Sequence, residues 1–84
     1  MIHRKVIHMN DRIVIDPQIQ HGKPVIRGTR VPITRITGGL ADGMSFKEIQ
    51  DAYEVTEEDI RAVLSFVSEL VESEDIRFLP ERKQ

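Results

Sequence analysis

The chain has 84 residues, no cysteine and a formal net charge of −2. That length makes one domain, 1–84, with a single small core; disulfides are excluded, and no apolar run approaches the roughly 20 residues that span a bilayer. The net charge hides a division: residues 1–35 carry seven cations against two acids, and residues 36–84 five cations against twelve acids.

Met1–Asn10 contains cations but not the continuous apolar region of a signal peptide, so a cytoplasmic protein with no membrane association is expected. Ile13–Ile15 is a β-branched run closed by Asp16-Pro17, the pattern of a short strand with a hard stop. After the loop Gln18–Gly22, the sequence Gly22–Pro32 reads GKPVIRGTRVP. Each proline fixes φ and removes a backbone donor, and each glycine permits φ > 0, so this segment has a specified shape rather than the freedom of a linker. Val25-Ile26-Arg27 is expected to turn through Gly28-Thr29 into Arg30-Val31 as a small hairpin. Pro32 can end that hairpin or open a helix, since its missing donor costs nothing in a first turn.

From Ile33 the period changes to that of a helix. Ile33, Ile36 and Leu40 share one face, but Gly38 and Gly39 predict a short or weak element unless packing rescues it. Gly43 is a suitable left-handed terminator. Ser45-Phe46-Lys47-Glu48 has the capping-box pattern and opens a helix over about 46–52 that buries Phe46 and Ile49. Thr56 followed by Glu57, Glu58 and Asp59 opens a third helix, whose acids suit its positive end. Its apolar stripe comprises Ile60, Val63, Leu64, Val67, Leu70 and Val71, widened by Phe66. Ile76, Phe78 and Leu79 continue to Pro80, which stops any helix. The chain therefore reads as mainly α with a small N-terminal β-hairpin: a β region at 12–31, helices within 32–75 and a tail at 76–84. The two later helices form a helix–turn–helix pattern, whose spacing alone favours a compact packing unit over a DNA-reading one.

Enzyme chemistry has little support. No serine lies in a nucleophile context, the carboxylates read as helix-start acids or a solvated face, and nothing specifies a pocket that would raise one carboxyl's pKa. His3, His8 and His21 match no metal-ligand spacing, and Gly22 and Gly28 lack the Gly-Lys-Ser/Thr of a phosphate loop. No catalytic residue, metal, cofactor or small-molecule substrate is expected. Nucleic-acid binding is better supported, because Lys23, Arg27, Arg30 and Arg35 can contact phosphates, with Thr29 on the same turn. The acidic start of the third helix would repel phosphates, so the basic hairpin is the expected DNA-facing element. Surplus apolar surface at Phe66, Leu70, Val71, Phe78 and Leu79 points to a protein partner, or to a tail folded back on the core.

Val14–Pro17, the GKPVIRGTRVP string and Gly43-Met44-Ser45 together resemble a family of small prokaryotic proteins. That family was long catalogued as a domain of unknown function and is now described as predicted antitoxins of type II toxin–antitoxin systems. The resemblance covers roughly residues 12–72. It implies a homeodomain-like three-helix fold containing a helix–turn–helix, a toxin partner similar to PIN-domain ribonucleases, and binding of operator DNA. Lys23, Arg27, Thr29 and Arg30 occupy motif positions, to which the resemblance assigns no individual roles. Gly38-Gly39 departs from the family's leucine- and alanine-rich first helix. The reading is a non-enzymatic, antitoxin-like regulator, with a homodimer to double its cationic footprint. The alternative is a protein–protein module whose motif arginines fold inward to pair with Asp16 or cap carbonyls.

Overall fold

The computed structural model describes residues 5–73. Three short strands, β1 (Ile7–His8), β2 (Ile13–Ile15) and β3 (Val25–Ile26), form an antiparallel sheet in that order, followed by α1 (Ile33–Ala41), α2 (Phe46–Tyr53) and α3 (Glu57–Val71). The tail at 76–84, with Phe78 and Leu79, lies outside the described residues.

β2 forms where three β-branched residues run together, and it is the central strand. Ile13 pairs with Ile26 and Val14 with Val25, while Ile15 and Val14 pair with Ile7 and His8 on the other side. β1 was not expected: two exposed residues have too little alternation to signal a strand. Asn10 makes it possible, since its Oδ1 accepts from the Arg12 and Ile13 amides at 2.8 and 2.9 Å and turns the chain. The Asn10 side-chain amide also donates to the Ala62 carbonyl at 3.2 Å, which fastens this turn to α3.

The hairpin expected at 25–31 is reduced to one strand and a turn. The Thr29 amide donates to the Ile26 carbonyl at 3.0 Å and the Ile26 amide to Val31 at 3.1 Å. A single bridge joins Val25 to Pro32. Arg30-Val31 does not continue as a strand because Pro32 serves as the N-cap of α1. Ending the extended segment and opening the helix are therefore combined at one residue.

Helix α1 runs through Gly38 and Gly39 because packing compensates for their poor propensity. A Cβ on Gly39 would lie 2.5 Å from Ile49 Cδ1 and 3.0 Å from Met44 Sδ, so α1 approaches α2 at a distance only glycine allows. Gly38 faces open space. The α2 capping box is present, with Ser45 and Glu48 each bonding the other's backbone amide. Thr56 and Asp59 form a second box at the start of α3. Ile13, Ile26, Ile33, Ile36, Ile49, Val55, Ile60 and Val63 make the core, with Phe66 and Val67 half-buried against it. Further along α3, Leu64, Leu70 and Val71 are exposed.

Asp59 has a second partner, Arg12, at 2.9 Å from the β1–β2 turn. Burial pushes its carboxyl pKa up, but the hydrogen bonds from Thr56 and Arg12 and the arginine's charge outweigh this and leave it below its ordinary value. A group with a depressed native pKa stabilises the fold above its unfolded pKa, and loses that effect as pH falls through the native value.

Two outcomes follow for stability. Gly39→Ala lowers it by about 1–2 kcal/mol despite alanine's helix propensity, since buried Ile49 must repack. Gly38→Ala raises it by up to about 1 kcal/mol, so urea unfolding should give the two variants opposite signs. Asp59→Asn costs about 1 kcal/mol at neutral pH. That difference from wild type should disappear in acid, once the Asp59 carboxyl itself is protonated; a difference constant with pH contradicts the ion pair.

Candidate nucleic-acid interface

The motif is built from the inside out. The Lys23 amide donates to the Gln20 carbonyl at 3.1 Å, and the Pro24 carbonyl accepts from the Ile33 amide at 3.0 Å. These bonds secure the entry to β3 and the start of α1. Val25 and Ile26 are fully buried in the sheet. The Arg27 amide donates to the Arg12 carbonyl at 2.7 Å, so its main chain is anchored while its side chain is exposed. Gly28 follows with φ of +81°, a conformation that side-chain-bearing residues rarely adopt.

Thr29 is placed differently from its basic neighbours. Its hydroxyl donates to the Ile26 carbonyl at 2.7 Å and accepts from the Val31 amide at 3.0 Å. It is half-buried and closes the turn from within. Arg30 is exposed, and its carbonyl accepts from Gln20 Nε2 at 3.0 Å. Arg35 projects from the first turn of α1 and is also exposed. Among the described residues, the side chains of Lys23, Arg27, Arg30 and Arg35 make no hydrogen bond or ion pair. Asp16 is buried and its Oδ1 accepts from the Gln18 amide at 2.9 Å.

The four cations thus lie along the motif and the first turn of α1, all of them exposed. Arg12 and Arg61 are used otherwise. Arg12 joins Asp59, and Arg61 binds Glu57 at 2.8 Å with its guanidinium over the Phe46 ring at 5.8 Å. At the start of α3, Glu58 is exposed and Glu57 is paired with Arg61.

Two further residues join the basic segment that sequence reasoning missed. Gln20 and Tyr53 line one depression with Arg30 and Arg35. Thirty-odd residues separate Gln20 from Tyr53, and no local pattern signals that they meet. On the expected partner surface, Leu70 and Val71 are 52% and 53% exposed and available for contact. Phe66 is half-buried against the core, which limits what it can offer to another chain. Among the described residues there is no group of three acidic or histidine side chains able to hold a metal ion. No helix there is long and apolar enough to cross a membrane.

Known proteins place this geometry in context. The chain is 32% identical over 56 residues to the Mycobacterium tuberculosis protein named "Putative antitoxin VapB45", a match covering 67% of the chain and 23% of that protein. The crystal structure of Rv2018 from Mycobacterium tuberculosis is also similar, with 35% identity and a TM-score of 0.58 over 62% of the chain and 24% of the other. The chain therefore spans about a quarter of the length of the relatives it matches. Residues 13–67, which contain the whole motif and most of the three helices, match a family described as protein of unknown function DUF433, and the chain belongs to that family.

Proposed function

We propose that this protein is a non-enzymatic, antitoxin-like regulator of a type II toxin–antitoxin system, acting in the cytoplasm and binding its operator through the basic motif. The observation that carries this reading is the exposure of Lys23, Arg27, Arg30 and Arg35, without a side-chain partner among the described residues, around a turn held by backbone bonds and Thr29. Cations held apart from acids are available to displace counterions from phosphates. Family membership and a relative named as an antitoxin supply the biological setting.

In this reading α2 and α3 act as a homeodomain-like helix–turn–helix unit. The acids at the start of α3 keep that helix end from leading the contact with DNA, so the motif leads instead. Thr29 shapes the turn, and the arginines touch phosphates or base edges. The exposed end of α3, with Leu64, Leu70 and Val71 beside Glu69 and Glu72, takes a PIN-like toxin with a basic, apolar surface, or a second copy. Phe78 and Leu79, expected from the sequence to contact the same partner, lie outside the described residues. The alternative, a protein–protein module with structural arginines, is less well supported because Arg27 and Arg30 are exposed and have no side-chain partner among the described residues.

Binding of the chain to a duplex from its own upstream region, measured against salt, tests the DNA role. Arg27→Ala and Arg30→Ala should each weaken binding and reduce the log–log salt slope by about 0.9, the loss of one phosphate contact. Affinity that is flat in salt and indifferent to both substitutions removes the role. For the partner surface, Leu70→Glu and Val71→Glu should abolish co-purification with the toxin encoded beside the gene. Being exposed changes, they should alter unfolding by no more than about 0.5 kcal/mol.

A further inference from the structure

Gln20, Arg30, Val31, Pro32, Arg35 and Tyr53 line a depression of about 240 Å³. It lies between the 3-10 turn Gln20–Gly22, the end of the motif and the last residue of α2. Its volume is below the roughly 300–1,000 Å³ usual for pockets that enclose whole small molecules, and suits one anionic group. Two arginines share it, no acid lines it, and neither guanidinium has a partner among the described residues. Like charges brought into one concavity repel, and Arg35 also sits in the first turn of α1, where the helix already presents positive charge. An anion in the depression relieves both effects.

The other polar groups fit the same ligand. The Tyr53 ring packs against the core, and its hydroxyl has no hydrogen bond among the described residues, so its donor is unused there. Gln20 instead holds the wall in place, donating at 3.0 Å to the Arg30 carbonyl. Gln20 and His21 have φ of +51° and +57°, so the turn that forms this wall is kept in a conformation unfavourable to side-chain-bearing residues.

We propose that the depression is a phosphate subsite, in which Arg30 and Arg35 bind the oxygens of one phosphate group and the Tyr53 hydroxyl donates a third hydrogen bond. Planar guanidinium groups match phosphate oxygens in geometry as well as charge. The phosphate belongs to the duplex backbone, a source that rests on the operator-binding reading above. A free phosphate monoester presents the same oxygens and is the other source.

The test has two arms, both with the full chain. In the first, inorganic phosphate is titrated at constant ionic strength against chloride, following the arginine side-chain NMR signals. Saturable shifts at Arg30 and Arg35 with phosphate alone are expected. Arg35→Ala should weaken this binding by about tenfold and Tyr53→Phe by about threefold, with Lys47→Ala, on α2 outside the depression and paired with Asp51, unchanged. Shifts that do not saturate, or that chloride reproduces, overturn the subsite, whether or not a duplex binds through Arg27. In the second arm the same variants are compared on the upstream duplex. Losses there that parallel the phosphate losses support the nucleic-acid source. Saturable phosphate binding without duplex binding upholds the subsite for a free phosphate ester and defeats the operator reading instead.

Discussion

The Thr29 hydroxyl and the backbone bonds around it are the constraint on which the basic surface depends. At 2.7 Å from the Ile26 carbonyl and 3.0 Å from the Val31 amide, this one side chain satisfies two main-chain groups that a β-strand partner would otherwise supply. The chain can then leave the sheet at Ile26, turn through Gly28 and enter α1 at Ile33 with few wasted residues. A buried backbone group without a partner costs more than a hydrogen bond gains, so a turn this short needs such closure. Because neutral groups hold the turn, no arginine is required to do so. The cations remain exposed as a consequence of how the turn is built.

Packing transmits that constraint to the rest of the domain. Ile26 and Ile33, on either side of the turn, both lie in the core with Ile13, Ile36, Ile49 and Ile60. The motif is thus fixed at both ends to the centre of the molecule. Gly39 brings α1 against Ile49 of α2, and Arg12 ties the β1–β2 turn to the first turn of α3. Charge is divided by the same arrangement. Two arginines are committed to the acidic helix start, Arg12 to Asp59 and Arg61 to Glu57, while those of the motif have no partner among the described residues.

Much of this was legible in the residues, and the reasons differ by element. β2, α2 and α3 announced themselves because their signals are local: a β-branched run, and two helix starts with a hydroxyl and an acid three positions apart. The persistence of α1 was not legible. Glycine propensity argues against it, and only the approach of Ile49, ten residues away, tips the balance back toward a helix. β1 was invisible for a related reason, since Asn10 sets its turn and α3 secures it from 52 residues away. At the site, the importance of GKPVIRGTRVP could be read from its density of prolines, glycines and cations. The division of labour within it could not, because Thr29 and Arg30 are adjacent in sequence and differ only in what the fold brings beside them. Gln20 and Tyr53 meet Arg30 and Arg35 solely through tertiary structure.

The central claim is that the motif, and not the acidic start of α3, meets nucleic acid. Mapping backbone amide shifts on addition of the upstream duplex to the isotope-labelled protein tests it most directly. The largest changes should fall within residues 22–35, with Glu57, Glu58 and Asp59 little affected. Changes centred on Glu57–Asp59, with the amides of Lys23, Arg27, Arg30 and Arg35 unmoved, would contradict it.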